Sequence, residues 1–138
     1  MKRYLLDTGV AGDFVHQRNG IAERAVRETR LGSRVGVAMP TVGELFAGVE
    51  NSHSRERNHV KLIRALTELT QWPFDRAAAE EFGRLYAELK RIGRAMQQID
   101  IQIAAIAIVL GNCTIVTMDS DFAAIPGLKI EDWSQPSS

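Results

Sequence analysis

Four acidic side chains stand next to apolar segments in separate parts of the chain: Asp7, Glu44, Asp100 and Asp119. A carboxylate beside a buried segment is costly unless it is paired, hydrogen-bonded or bound to a cation. The four segments show no pattern of a buried lysine or arginine that could neutralise these side chains. The sequence therefore predicts that the four carboxylates bind a divalent metal ion.

Repulsion between the carboxylates is the physical reason to expect a cation. Two carboxylates about 4 Å apart repel by about 4 kcal/mol at an effective dielectric constant near 20. A helix N-terminus near Asp100 or Glu44 offsets only about 0.3–1 kcal/mol of this. Oxygen ligands alone favour Mg²⁺ or Mn²⁺, and the four segments contain no histidine or cysteine for zinc. Such an ion can activate water for in-line attack on a phosphodiester.

The secondary structure needed to bring these side chains together is an α/β sheet. Short apolar runs predict strands at 4–6, 35–39, 71–74, 114–117 and 128–130, and helical spacing predicts helices at 20–31, 40–49, 59–70, 75–93 and 99–110. Strands that alternate with helices form a parallel sheet covered on both faces. Ligands bind outside the carboxyl ends of its strands, where Asp7 and Asp119 are expected. Asp100 opens one helix and Glu44 lies one turn into another, so all four can face the same edge.

Helical spacing also predicts which side chains face the core. These are Val60, Ile63, Leu66 and Leu69 in the helix at 59–70, and Ala79, Phe82, Leu85, Tyr86 and Leu89 in the helix after Asp75. The run at 99–110 is almost uniformly apolar, which is typical of a central helix surrounded by protein. Simpler roles remain open for three of the carboxylates: Asp7 or Asp100 as a helix cap, and Glu44 as a solvated helix residue.

Composition excludes several classes of protein. The 138 residues match one domain in length, which we place at 1–133, followed by a flexible tail at 134–138. Seventeen basic and seventeen acidic residues cancel, so any contact with nucleic acid must use a local patch. A single cysteine fits the cytoplasm, and no apolar run reaches the roughly 20 residues of a membrane helix.

Five motifs appear in an order that is known from one family. They are Tyr4–Thr8, Glu44–Gly48, Ile99–Ala105 and Thr117–Phe122, followed by Ile125–Leu128. Together they resemble the PIN-domain proteins, and within that superfamily the VapC-type toxins of bacterial toxin–antitoxin modules. The resemblance runs from residue 4 to residue 133, nearly the whole chain.

The resemblance implies a Mg²⁺-dependent endoribonuclease, with Mn²⁺ as a substitute ion, built as a three-layer α/β/α domain on a five-stranded parallel sheet. It implies a cytoplasmic homodimer that cleaves RNA and is held inactive by a VapB-type antitoxin, whose tail would reach the acidic site. Asp7, Glu44 and Asp100 match the catalytic metal-binding positions of the family, and Asp119 matches a fourth, more variable position. Thr8, Thr117 and Asp121 are expected in supporting roles.

Two departures from the family pattern leave alternatives open. Gly9 stands where the family usually has Asn, and Asp121 competes with Asp119 for the fourth acidic role, in which we prefer Asp119. The alternative function is a catalytically impaired binding module that acts through a complex with antitoxin and operator DNA. A DNA-flap nuclease would need a helical arch that the chain does not contain. An aspartic protease, suggested by Asp7-Thr8-Gly9, would need an all-β fold.

Overall fold

Strands and helices alternate along residues 1–134, the part of the chain that this computed structural model describes. The strands are β1 (Arg3–Leu6), β2 (Arg34–Ala38), β3 (Thr70–Trp72), β4 (Cys113–Val116) and β5 (Lys129–Glu131). The α-helices are α1 (Thr8–Val15), α2 (Ile21–Arg30), α3 (Met39–Glu50), α4 (Arg55–Leu66), α5 (Arg76–Arg91) and α6 (Gln98–Leu110). Residues 135–138 of the predicted tail lie outside the described residues, and the predicted domain limit at residue 133 stays a prediction.

All neighbouring strands are parallel, in the order β3-β2-β1-β4-β5. This confirms the predicted α/β class and the five-stranded parallel sheet. The central strand β1 pairs with β2 on one side and β4 on the other, so that Leu6 lies opposite both Val37 and Val116. The chain changes direction across the sheet at β1, and the crevice beyond such a point is where open α/β sheets bind ligands.

Two apolar clusters cover the two faces of the sheet and make the three-layer architecture. One cluster joins Tyr4 and Leu6 of β1 to α1, α2, α3 and α4. The other joins Leu5 of β1 to α5 and α6. Neighbouring residues of a strand point to opposite faces, which is why β1 feeds both clusters and why its sequence is apolar without alternation. Within residues 1–134, none of the helices is long and apolar enough to cross a bilayer.

The predicted buried face of α4 is wrong for two of its four residues. Val60 and Ile63 are 54% and 45% exposed, whereas Leu62, Ala65, Leu66 and Leu69 are buried. A spacing of three residues drifts around a helix, so Val60 and Ile63 do not share a face with Leu69. The spacing i, i+3, i+4, i+7 that starts at Leu62 keeps one face toward the core. The helix also begins at Arg55, four residues before its predicted start at residue 59.

Three further elements differ from the prediction. In α5, Asp75 caps the helix as predicted, but Ala79 and Tyr86 are exposed and Ala78 is buried instead. In α6 the predicted burial holds for the first turns only, because Ile108 and Val109 near its end are exposed. Helix α1 was predicted only without bounds, as a helix that Asp7 could cap. Gly9 and Gly12 weaken its helical pattern in the sequence.

Candidate metal centre

The four predicted carboxylates line a single cavity of about 620 Å³ at the carboxyl edge of the sheet. Asp7 follows β1, Asp119 follows β4 after two residues, Asp100 lies in the first turn of α6, and Glu44 lies in α3. The cavity is lined by Asp7, Thr8, Gly9, Val10, Glu44, Gln97, Ile99, Asp100, Met118, Asp119 and Ser120. None of these lining residues, all within the described part of the chain, is basic. The convergence predicted from the sequence therefore exists.

Asp7 is fixed by hydrogen bonds to both of its carboxylate oxygens. Its Oδ1 accepts from the backbone N–H of Val10 at 2.9 Å, and its Oδ2 accepts from the hydroxyl of Thr117 at 2.6 Å. The first bond makes Asp7 the N-cap of α1. Only 7% of the residue is exposed. Capping the helix and lining the cavity are thus compatible roles, because each oxygen keeps a second lone pair.

Thr117 joins the ends of the two central strands. Its hydroxyl donates to Asp7 and accepts from the backbone N–H of Asp119 at 2.9 Å, and the residue is 2% exposed. Thr8 makes a similar link on the other side, where its hydroxyl lies 3.2 Å from that of Thr41 at the start of α3. Both threonines therefore connect elements that carry the carboxylates.

Asp100 lies in the first turn of α6, whose N-cap is Gln97, so the simpler interpretation of Asp100 as the N-cap is wrong. Burial raises the pKa of Asp100 to about 6, and the negative charges of Asp7, Asp119 and Asp121 add to the effect. Burial also raises the pKa of Asp7, although its hydrogen bonds from Thr117 and Val10 act in the opposite direction. Burial and neighbouring negative charges thus disfavour the ionised form of these carboxyl groups. A bound cation would remove this penalty.

Glu44 and Asp119 are exposed, unlike Asp7 and Asp100. We call Asp7 and Asp100 the inner pair, and Glu44 and Asp119 the outer pair. The Oδ1 atom of Asp119 accepts from the backbone N–H of Asp121 at 2.9 Å and caps the short 3₁₀ helix Ser120–Ala124. The outer pair is bordered by solvent, and a change of rotamer at Asp119 would break its hydrogen bond from Asp121.

Asp121 does not line the cavity. Its Oδ1 accepts from Nη2 of Arg94 at 3.1 Å, in a pair that is about half exposed. Gly9, the departure from the family pattern, does line the cavity, and a Cβ atom there would lie 3.8 Å from Oδ1 of Asp7. That distance is an ordinary contact, so glycine is not required at position 9 by lack of space.

The donor set consists of carboxylate oxygens, which suits a hard divalent cation such as Mg²⁺ or Mn²⁺. Among residues 1–134, however, no three acidic, histidine or cysteine side chains are gathered closely enough to hold an ion as they stand. Repulsion between carboxylates opposes their close approach when no cation is bound. The chemistry of the donors fits a metal, and side chains of this site would have to move to coordinate it.

Sequence patterns did not predict several residues of this site. Gln97, Met118 and Ser120 line the cavity, and the fully buried Thr41 orients Thr8. The sequence marks these residues only by their position close to one of the acidic motifs. Asp13 is buried and accepts hydrogen bonds from Arg18 and Asn19 outside the cavity.

Comparison with known sequences gives matches over nearly the whole chain. Residues 4–128 match the PIN domain family. The chain is 30% identical to ribonuclease VapC2 of Haemophilus influenzae, over 96% of this chain and 99% of that protein. It is 31% identical to the tRNA(fMet)-specific endonuclease VapC of Salmonella typhimurium, with the same coverage of 96% and 99%.

Solved structures with this fold are also similar over their whole length. A chain of the DNA-bound VapBC complex from Salmonella typhimurium superposes with a TM-score of 0.87 at 31% identity, covering 96% of this chain and 99% of that one. A chain of VapBC2 from Rickettsia felis, bound to a DNA fragment from its promoter, also gives 0.87, at 26% identity over 95% and 98%. The resemblance noted from the five motifs is thereby confirmed.

Proposed function

The chain belongs to the PIN-domain family, as a relative of the VapC ribonucleases, and from that premise we propose that it is a Mg²⁺-dependent endoribonuclease toxin. One observation carries the proposal. Four carboxylates from four distant segments line one cavity, and no basic side chain among its lining residues neutralises them. On this proposal Asp7, Glu44, Asp100 and Asp119 are the catalytic residues and would hold the ion.

A bound divalent ion supplies Lewis-acid chemistry, in which water becomes nucleophilic near neutral pH and the charge on the leaving oxygen is offset. Asp7 would be a fixed ligand, because both of its carboxylate oxygens accept hydrogen bonds. Asp100 would be the second ligand of the inner pair, and the bound cation would favour its ionised form. Glu44 and Asp119 would supply further oxygen ligands from the solvent side of the cavity.

We propose Asp119, and not Asp121, as the fourth acidic ligand. Asp119 lines the cavity and is oriented through its backbone by Thr117. Asp121 instead holds the guanidinium of Arg94 outside the cavity. Its charge still contributes to the raised pKa of Asp100, which makes it a supporting residue.

We propose a VapB-type antitoxin as the protein partner, because solved structures similar to this chain include VapBC toxin–antitoxin complexes. RNA as the substrate, a homodimer as the assembly and the cytoplasm as the location stay predictions. The Salmonella relative is named as specific for tRNA(fMet), and this tRNA is therefore the first substrate to test.

The test compares Asp100→Asn with Glu80→Gln in a cleavage assay on tRNA(fMet) and on total RNA, with Mg²⁺ or with EDTA. Glu80 is an exposed acidic residue paired with Arg76 on α5, so its replacement is a matched loss of one charge away from the site. We expect the wild type and Glu80→Gln to cleave only with the metal, and Asp100→Asn to be inactive. Cleavage by Asp100→Asn at the wild-type rate would remove that residue from the mechanism.

The alternative function is a binding module that engages an antitoxin and operator DNA without catalysis. The DNA-bound state of the Salmonella and Rickettsia neighbours is the observation that favours it. Titration of Mn²⁺ into the purified chain, followed by calorimetry, separates the two functions. A ribonuclease of the proposed kind shows one saturable site or more, which Asp100→Asn weakens. A binding module needs no such site.

A further inference from the structure

A second cavity, of about 350 Å³, also has residues at the start of α6 in its lining. Gln97, Ile99 and Asp100 line the acidic cavity, whereas Met96 and Ile101 line the second one. The remaining walls come from the last turns of α5 and from the segment that joins the two helices. The two cavities are therefore lined by neighbouring residues at the start of α6.

Two cations line the second cavity, in contrast to the acidic one. Lys90 forms no ion pair with any carboxylate in the described part of the chain. Arg94 uses one of its guanidinium nitrogens for Asp121 and keeps further donors, since a guanidinium carries five N–H groups. Because Asp121 lies two residues beyond Asp119, this ion pair holds Arg94 at the border between the cavities.

The backbone at the end of α5 fixes the relative positions of these two cations. Gly93 has a positive φ of 72°, its N–H donates to the carbonyl of Lys90 at 3.1 Å, and the N–H of Arg94 donates to that of Leu89 at 2.9 Å. This pair of bonds is a Schellman motif, which strongly favours glycine at its left-handed position. The backbone from which the two basic side chains extend is thus placed by the fold.

An aromatic ring completes the second cavity. Tyr86 lines it and is 43% exposed, although the helical pattern had predicted it to be buried. Its ring stacks on Phe82 with centroids 5.9 Å apart and an angle of 28°, and Phe82 in turn meets Phe74 edge-on at 6.0 Å. A ring held in this way is an oriented surface on which a planar group can stack. Aromatic rings beside cations are a recurring combination in proteins that bind single-stranded nucleic acid.

We propose that the second cavity binds one nucleotide of single-stranded RNA next to the phosphodiester that is cleaved, with its base on Tyr86 and its phosphate at Lys90 and Arg94. This inference rests on the proposed function, since it places the substrate strand across the turn that carries Asp100. The volume suits a small ligand site, which typically measures about 300–1,000 Å³. A second copy of the chain is the competing occupant, but an unpaired Lys90 would be costly to bury in a protein interface.

The experiment measures binding of a short fluorescent uridine RNA by anisotropy, at low ionic strength in EDTA. Metal-dependent cleavage is stopped there, so the result does not depend on whether the chain is a nuclease. We expect Tyr86→Ala to weaken binding by roughly 5- to 100-fold and Tyr86→Phe, which keeps the ring, to bind as the wild type does. When the logarithm of the binding constant is plotted against the logarithm of the salt concentration, Lys90→Gln and Arg94→Gln should each reduce the steepness of the slope by about one.

Arg84→Gln is the matched control, because Arg84 is an exposed cation on the same helix that pairs with Glu81 and does not line the cavity. Its salt slope should equal that of the wild type. Wild-type protein that does not bind the RNA, or Tyr86→Ala that binds it equally well, would overturn the proposal. Sedimentation velocity compares the oligomeric state of the wild type and Tyr86→Ala. If the wild type is a dimer and Tyr86→Ala is a monomer, this surface is an interface between copies of the chain and the proposal is wrong.

Discussion

The inner and outer pairs of carboxylates line the same cavity but differ in their exposure to solvent. Asp7 is almost fully buried and hydrogen-bonded through both oxygens, and burial raises the pKa of Asp100 to about 6. Glu44 and Asp119 are exposed. In an α/β fold, strand ends and first helical turns form the rigid part of a site. Solvent-exposed side chains form the part that can adapt. The electrostatic cost of the site is therefore concentrated in the inner pair.

The largest expected difference between the pairs is in metal affinity and cleavage. Asp7→Asn keeps the cap of α1, because asparagine caps helices as well as aspartate does, but it removes a fixed charge. We expect it to lower both quantities by about 100-fold or more, since even the outer-shell partners of a metal are worth about 10–100-fold. Asp119→Asn should cost about tenfold, because solvent and the other ligands can compensate for an exposed group. Calorimetry with Mn²⁺ and a cleavage assay measure both effects.

Asp121→Asn is the matched control for this comparison, since it removes an aspartate two residues from Asp119 that does not line the cavity. Its metal affinity should stay within about threefold of the wild type, because the charge it removes acts only from a distance. If Asp121→Asn loses more affinity than Asp119→Asn, the assignment of the fourth ligand is reversed.

The next effect concerns Thr117, which connects the inner pair to the outer pair. Thr117→Val keeps the shape of the side chain but removes the donor to Asp7 and the acceptor for the N–H of Asp119. We expect a loss of about 1–3 kcal/mol in the free energy of unfolding, measured with urea in EDTA, because buried polar groups lose their partner. The pKa of Asp7 should rise further, since the lost hydrogen bond favours its ionised form.

Thr117→Ser keeps the hydroxyl and should recover most of that stability. A Thr117→Val protein with wild-type stability and metal affinity would show that the bridge between the pairs is incidental.

The smallest effect is the dependence of metal-free stability on pH. The pKa of Asp100 in the folded protein is about 6, above its ordinary value of 3.8. Folding therefore favours the protonated form, so this carboxyl destabilises the fold increasingly as the pH rises from about 4 through 6. Asp100→Asn removes the penalty and should be more stable than the wild type at neutral pH by about 1 kcal/mol, after allowance for solvent screening.

Urea unfolding of both proteins in EDTA across that range gives the measurement, and the difference between them should vanish near pH 4. A variant that is less stable than the wild type at neutral pH would mean that Asp100 makes a favourable interaction in the metal-free protein.

The sequence allowed the sheet and the convergence of the carboxylates to be predicted, because both depend on local patterns. Apolar runs that end in an acidic residue mark the carboxyl ends of parallel strands, as at Asp7. The exposure of Ile63 could have been predicted from the helical spacing that starts at Leu62. The exposure of Tyr86 could not, because an apolar residue beside the buried face of a helix can belong either to the core or to a functional surface. The roles of Thr41 and Gln97 follow only from how distant segments pack, which no short pattern records.

The strand order has a consequence for the synthesis of this protein. Asp7 and Thr117 are 110 residues apart, yet they are in direct contact because β1 pairs with β4. The half of the chain that leaves the ribosome first carries Asp7 and Glu44 but neither Asp100 nor Asp119. If the chain is the ribonuclease proposed above, a nascent chain cannot attack RNA until β4 has emerged and inserted beside β1. The fold therefore delays the activity until translation of the strands is nearly finished.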